Sequence, residues 1–221
     1  MSLKLEIARV FKTYNDNLIL RDCSFAFGGG RTYVIQGPNG SGKSTLFRML
    51  ALLEKPDQGK ITYQDNGHIQ ENNLALRRRF TLVLPRTGIF NATVFQNVAY
   101  GLKIRGFNRG EIETKVDEVL TAVGLAHKKW QRALELSSGE TKRLGIARAM
   151  VINPEILLLD EPTANIDPDN TAIIEDIVLK MKQERQATIL MITHDMAQAE
   201  RLGDELLFMQ DGKIVPHASK N

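Results

Sequence analysis

Cysteine is nearly absent from this sequence, because Cys23 is the only one among 221 residues. A single thiol cannot form a disulfide within the chain, and the four histidines are scattered without a partner cysteine at zinc-ligand spacing. We therefore expect a protein of the reducing cytoplasm that has no structural zinc site.

Long hydrophobic runs are absent as well. The longest strongly apolar stretches are residues 156–159 and 189–192, whereas a membrane-spanning helix needs roughly 18 to 20 apolar residues. The N-terminus alternates apolar and polar residues and lacks the pattern of a secretory signal. The sequence thus predicts neither a membrane span nor export of the chain.

Neither sign of charge is in large excess, since 29 basic and 26 acidic residues leave a net charge of +3. The run Arg77-Arg78-Arg79 is short, and a run of this length is more typical of a solvated face than of a nucleic-acid-binding arm. We expect no nucleic-acid partner. The 43% hydrophobic content supports a sizeable core and argues against disorder.

The order of the predicted elements indicates an α/β fold. Apolar and polar residues alternate within residues 3–27, which predicts a β-rich lobe at the start of the chain. Short apolar runs then alternate with segments of helical spacing, and this order predicts a mainly parallel sheet flanked by helices. The predicted strands are 32–35, 59–63, 80–84, 156–159, 188–192 and the hairpin 206–215, and the predicted helices are 43–53, 94–104, 112–123, 138–151, 171–183 and a short one from Met196.

No repeat, low-complexity segment or linker divides the chain. Residues 1–221 are therefore predicted to form a single domain. The mainly helical stretch at about 90–150 is predicted to be a subdomain inserted within it.

A glycine-rich loop between a predicted strand and a predicted helix matches the pattern G-x-x-x-x-G-K-[ST] in full. In such a loop backbone N–H groups converge on phosphates, the lysine reaches the β- and γ-phosphates, and the next hydroxyl binds Mg²⁺. These roles fall on Lys43 and Ser44. A plain glycine-rich turn is the alternative, but it would need neither side chain. The residues are Gly37, Pro38, Asn39, Gly40, Ser41, Gly42, Lys43, Ser44 and Thr45.

Polar side chains follow two predicted sheet strands at their carboxyl ends, where α/β proteins bind ligands. Asp160 would hold Mg²⁺ through water, and Glu161 would orient and deprotonate the attacking water. His194 could hydrogen-bond the γ-phosphate or that water. The simpler interpretations are that the acidic pair starts a loop and that the lone histidine is structural.

The segment Leu136-Ser137-Ser138-Gly139-Glu140, followed by 141–149, resembles the signature motif of ABC-type ATPases. The glycine-rich loop, residues 156–161, Ala164-Asn165-Ile166-Asp167 and His194 stand in the family's order, so the resemblance covers essentially the whole chain. Taken alone, the motif could be a serine N-cap with Glu140 in the first turn of a helix. A serine N-cap and a phosphate site use the same arrangement of groups at a helix start, so the two interpretations are compatible.

The resemblance implies a P-loop ATPase fold with a mainly parallel core sheet, an N-terminal antiparallel β lobe and a helical subdomain. It also implies ATP and Mg²⁺ as cofactors and an ATP-bound homodimer. Each ATP would lie between the glycine-rich loop of one chain and Ser137, Ser138, Gly139 and Glu140 of the other. Asp167 would lie at the subunit contact. Tyr14 would stack on adenine, unless it is an ordinary aromatic at a strand end.

Two departures from the family pattern are visible. The family has a Mg²⁺-contacting glutamine where this chain has Pro85, which offers no side-chain amide, and Gln96 lies eleven positions further on inside a predicted helix. Ser138 stands where glycine is usual and Glu140 where glutamine is frequent. The change at Pro85 puts the metal contact and its coupling role in question.

Among ABC ATPases, a single domain without coiled-coil insertion, zinc cysteines or a second copy indicates a transporter subunit. The resemblance then implies a separate membrane permease, a position on the cytoplasmic face of the membrane, and an extracytoplasmic solute-binding protein. Residues 88–106 are most similar to the ATPases of tungstate-type oxyanion importers. Two alternatives stay open: a regulatory ABC ATPase of a cell-envelope complex, and a module with weak hydrolysis because of Pro85.

Overall fold

A computed structural model describes residues 3–184 and 187–216. The strands are β1 (Lys4–Tyr14), β2 (Asn17–Phe27), β3 (Thr32–Gln36), β4 (Gln58–Asp65), β5 (His68–Ile69), β6 (Phe80–Val83), β7 (Ile156–Asp160), β8 (Thr188–Ile192), β9 (Glu205–Gln210) and β10 (Lys213–Pro216). The helices are α1 (Lys43–Leu50), α2 (Leu74–Arg77), α3 (Val94–Ile104), α4 (Arg109–Ala122), α5 (Ser138–Met150), α6 (Pro168–Gln183) and α7 (Met196–Leu202).

The predicted strands and helices are all present, with differences at their ends. α1 stops at Leu50 instead of residue 53, because Leu52 adopts a left-handed backbone with φ of 61°. α6 begins at Pro168 instead of residue 171, since Asp167 caps it and proline is suited to the first helical position. β5 and α2 were not predicted, because two and four residues are too few to show a period.

The opening lobe is a four-stranded antiparallel sheet in the order β2-β1-β4-β5. The register shifts several times along β1 and β2, and Arg9 and Asp22 adopt positive φ angles in these strands. Such bulges bend and twist the strands, so the sheet can curve over its core. The predicted antiparallel β lobe is thus confirmed.

Six strands form the central sheet in the order β10-β9-β3-β8-β7-β6. All neighbours run parallel except β10, which pairs antiparallel with β9 as the predicted hairpin. β3, β7 and β8 are buried at every position. A sheet covered on both faces explains why these strands read as continuous apolar runs.

The pleat of the central sheet divides the core into two clusters. Ile156, Leu158 and residues that alternate with them on β8 pack with α1 and the antiparallel sheet. Leu157 and Leu159 face the opposite way and pack with α3 to α7. Successive strand residues point to opposite faces, so one short strand contributes to both layers.

The predicted helical stretch at about 90–150 contains α3, α4 and α5, which contact one another, while α5 also contacts β6 and α6. Its definition as an inserted subdomain, and the single domain 1–221, stay predictions. Residues 1–2, 185–186 and 217–221 lie outside the described part of the chain. Over residues 3–184 and 187–216, none of the helices has the length and apolarity that crossing a bilayer requires.

Arg79 joins the two sheets at their edge. Its guanidinium lies 2.8 Å from Asp65 at the end of β4 and 2.5 Å from Glu155, next to β7. The hydrogen bond to Glu155 raises the pKa of Arg79, and only 20% of its side chain is exposed. The expectation of a solvated basic face is therefore wrong for Arg79, whereas Arg77 and Arg78 are exposed.

Replacing Arg79 with methionine removes both ion pairs while keeping most of the side-chain volume. We expect Arg79→Met to lower the free energy of unfolding by about 1 kcal/mol, because partly exposed ion pairs contribute modestly. Urea denaturation measures the change. Arg77→Met in the same basic run is the control and should leave the midpoint unchanged; equal effects of both variants would contradict the bridging role.

Candidate functional site

The predicted phosphate loop connects β3 to α1 in a conformation that depends on glycine. Gly37 has φ of 143°, and a Cβ there would lie 2.1 Å from the backbone oxygen of Met209. Gly42 has φ of 102° directly before the helix. No L side chain fits these two positions without strain, so the path of the loop depends on glycine at both.

Lys43 is 6% exposed, and its ammonium lies inside the loop. Its Nζ donates to the carbonyl oxygens of Gly37 at 2.8 Å and Pro38 at 2.9 Å. Burial lowers the pKa of Lys43, while Glu161 and Asp160 act in the opposite direction. The cation is thus held at the place where phosphate oxygens would approach it.

A cavity of about 220 Å³ lies directly against this loop. Backbone amides, hydroxyls and one carboxylate line it, which is the chemistry of a phosphate and metal site. Its lining residues are Ile19, Asn39, Gly40, Gly42, Lys43, Ser44, Thr45 and Glu161.

The predicted metal residues lie together beside the cavity. Asp160 is 2% exposed at the end of β7, and Ser44 hydrogen-bonds its carboxylate. Burial raises the pKa of Asp160, whereas the Ser44 hydrogen bond and the Lys43 charge oppose the rise. A hydroxyl and a carboxylate fit Mg²⁺, which binds nucleotide sites through few protein oxygens, phosphates and water. The described residues hold no larger cluster of His, Cys, Asp or Glu that suits a metal.

Three residues, Glu161, His194 and Lys43, are predicted to be catalytic, and the strand register brings Glu161 and His194 together. Asp160 and Ile35 both pair with Ile192. The phosphate loop, Glu161 and His194 therefore follow the ends of three neighbouring strands at the same edge of the sheet. His194 Nε2 lies 3.0 Å from Glu161 Oε1. Glu161 has φ of 50°, an uncommon backbone for a non-glycine residue and one that is concentrated at functional sites.

The signature segment forms the N-terminus of α5 with a complete capping box. Ser137 accepts from the Glu140 amide at 3.3 Å, and the Glu140 carboxylate accepts from the Ser137 amide at 3.0 Å. Lys128 lies 2.6 Å from Glu140. Capping is thus confirmed, while Ser137 and Ser138 are exposed at the helix start. Their contact with a partner chain's ATP stays a prediction.

Gly139 packs directly against the start of α6. A Cβ at Gly139 would lie 2.3 Å from Asn170 Cγ. Asn170 is held in turn by Arg143 at 2.8 Å and by Asp167, which caps α6. Hydrogen bonds from Asn170 lower the pKa of Asp167. The relay role expected for Asp167 stays a prediction.

Tyr14 does not line the cavity by the loop. Its hydroxyl contacts Glu54, and the Lys12 ammonium lies 5.5 Å from its ring centre. The ring is half-buried at the end of β1. Adenine stacking on Tyr14 therefore stays a prediction.

Pro85 lies after β6. Its side chain has no polar group, but its backbone carbonyl oxygen accepts a hydrogen bond. Lys142 of α5 donates to this oxygen at 2.6 Å and to the Glu161 carbonyl at 3.2 Å. Gln96 serves as the N3 residue of the α3 capping box, so it does not replace the missing glutamine. Lys142 is not among the predicted site residues, because the sequence shows only its basic type and its helical position.

The fold and the loop define a P-loop nucleotide hydrolase. Residues 20–164 match the family model described as ABC transporter, and the chain belongs to this family. The family and the relatives below support ATP hydrolysis coupled to transport. The expected ABC ATPase fold and the resemblance to ABC transporter ATP-binding subunits are confirmed.

Several curated relatives are import ATP-binding proteins. The chain is 35% identical over 212 residues to the tungstate uptake system ATP-binding protein TupC of Peptoclostridium acidaminophilum, covering 96% of this chain and 97% of that protein. It is 37% identical to the phosphate import ATP-binding protein PstB 2 of Natronomonas pharaonis, with 96% and 78% covered. The probable anion import ATP-binding protein of Haloferax volcanii is also 37% identical, with 91% and 75% covered.

Among solved structures, CbiO1 of Clostridium perfringens, part of the ABC transporter complex CbiONQ, aligns with a TM-score of 0.85. The sequences are 30% identical, and the match covers 97% of this chain and 88% of CbiO1.

Removing the Glu161 carboxylate should stop turnover without preventing nucleotide binding. We expect Glu161→Gln to lower kcat by about 10² to 10⁴, because a positioned general base contributes rate enhancement of this order. Phosphate release and ATP affinity are the two measurements. Exposed Glu135→Gln is the matched control, and full activity of Glu161→Gln would contradict the assigned role.

A methyl group at Gly139 should weaken the junction of α5 and α6. Alanine raises helix propensity by about 1 kcal/mol, but overpacking against Asn170 costs about 1 to 3 kcal/mol, so Gly139→Ala should be destabilising overall. Thermal unfolding checks this balance. Gly110→Ala in α4, where the new Cβ would have only an ordinary 3.6 Å contact, should be neutral or stabilising. A higher Tm for Gly139→Ala would contradict this expectation, because it would show that α5 and α6 can move apart at little cost.

Proposed function

We propose that this chain is the ATP-hydrolysing subunit of an import system whose solute is an oxyanion such as tungstate. The observation that carries the solute class is the similarity over 97% of a tungstate uptake ATP-binding protein, with phosphate and anion import proteins beside it. Methionine import proteins are also similar, so the finer choice of tungstate is what the experiment must test.

In the proposed reaction, the loop amides and Lys43 would bind the phosphates of ATP, and Ser44 with Asp160 would hold Mg²⁺. The bound metal would neutralise charge that develops on the phosphates. Glu161 accepts the proton of the attacking water, and His194, 3.0 Å away, orients that carboxylate. Tyr14 would stack on the adenine.

The second half of the ATP site would come from another copy of the chain. The exposed Ser137 and Ser138 lie at the start of α5, where hydroxyls and the helix dipole favour an anion. A head-to-tail homodimer would place this end against the γ-phosphate, with Asp167 at the contact. Loss of that phosphate on hydrolysis would then weaken the closed pair.

A groove of about 340 Å³ between β6, α3 and α5 would receive the separate membrane permease. Phe90 and Tyr100 are exposed beside it with ring centres 4.8 Å apart. An amphipathic permease segment would cover these rings, and it would hold the subunit at the cytoplasmic face. A solute-binding protein would act through the permease.

The solute is tested by uptake. A deletion strain should lose uptake of tungstate or molybdate and regain it with the wild-type gene, while co-purification from native membranes should recover a polytopic protein. Uptake of methionine alone would overturn the oxyanion proposal. Uptake of phosphate alone would overturn the choice of tungstate. Recovery of a cell-envelope complex without uptake would favour the regulatory alternative.

A single charged substitution tests whether the permease docks in this groove. We expect Tyr100→Glu to lower membrane association and uptake at least fivefold while the purified chain keeps its ATPase rate, since a buried carboxylate is costly in an apolar interface. Ile69→Glu places the same charge at an exposed apolar position on β5 and should change neither. Normal membrane association of Tyr100→Glu would move the docking surface elsewhere.

A further inference from the structure

Lys142 connects two segments that are distant in sequence. Its Nζ donates to the carbonyl oxygens of Pro85 at 2.6 Å and Glu161 at 3.2 Å. The side chain is half-buried and extends from α5 to the segments that follow β6 and β7. Burial lowers the pKa of Lys142, and the nearby Glu161 and Asp160 act against this lowering.

Glu161 has an unusual backbone conformation, with a left-handed φ of 50°. Its amide donates to the Ile192 carbonyl at 3.1 Å, and its own carbonyl accepts from the Ala164 amide at 3.3 Å. Lys142 is a second donor to that carbonyl, at 3.2 Å. The peptide units on both sides of the Glu161 Cα are thereby held, and the direction of its side chain follows from them.

Pro85 supplies the second anchor. Proline fixes its own φ, and its carbonyl still accepts a hydrogen bond although the residue has no amide donor. A lysine held by two carbonyls loses most of its freedom before the reaction starts. The short Pro85 contact therefore sets where the ammonium lies relative to Glu161.

We infer that Lys142 is a positioning residue for ATP hydrolysis, which holds the Glu161 peptide so that the carboxylate points at the attacking water. Lys142 touches neither water nor phosphate in this role and acts through Glu161. The inference rests on the ATPase activity of the proposed function and is independent of the transported solute.

The test compares single-turnover hydrolysis of radiolabelled ATP by the purified chain. Lys142→Met keeps the length of the side chain and removes the donor, so we expect a rate about tenfold lower with ATP affinity within twofold of wild type. Lys142→Arg, which keeps a charged donor, should recover part of the rate. Exposed Lys180→Met is the control and should behave as wild type.

A second background separates positioning from a general structural effect. In Glu161→Gln the carboxylate is gone, so adding Lys142→Met should change the residual rate less than twofold, whereas a structural role would lower it tenfold again. Equal rates for Lys142→Met and wild type, or additive losses in the double variant, would overturn the inference. A wild-type chain that hydrolyses no ATP would instead contradict the proposed function. If Lys142→Met does not fold, Lys142→Gln takes its place under the same criteria.

Discussion

Burial of both faces of the central sheet is the constraint on which the site depends. β3, β7 and β8 have no exposed position, so polar side chains cannot project from their middles without losing their hydrogen bonds to water. Charge is confined to the strand ends, where Asp160 closes β7 and the phosphate loop follows β3. The parallel register then sets these ends side by side.

At this edge of the central sheet, burial and neighbouring opposite charges shift the pKa values of the charged groups in opposite directions. Burial raises the pKa of Asp160 and lowers that of Lys43 and Lys142, while the charges of these groups counter each shift. Both lysines end on backbone carbonyls, which hold the ammonium groups without consuming the carboxylates. Neither lysine therefore takes up the carboxylate of Asp160 or Glu161 in a direct hydrogen bond.

Two helix caps in this chain combine a role in folding with an expected role in function. Ser137 and Asp167 each satisfy amides of their own helix, and the same residues are the ones expected to meet a partner subunit. Gly139 lets the two capped ends approach so closely that Asn170 fills the space a side chain would need. The stability of the chain therefore depends on the same few contacts that are expected to face a partner subunit.

The features that depend on neighbouring residues could be predicted from the sequence: the helix and strand periods, the loop from Gly37 to Thr45, the Asp160-Glu161 pair and the cap at Ser137. Local spacing is enough there, because each pattern is satisfied within one element. Three contacts became visible only in the folded chain: that of Lys142 with Pro85 and Glu161, the ion pairs of Arg79, and the packing of Gly139 against Asn170. These contacts join residues that are 14 to 76 positions apart, and their partners are backbone oxygens or side chains whose place is set by packing. A long-range hydrogen bond leaves no period in the sequence, so its residues become visible only when the folded sheet brings them together.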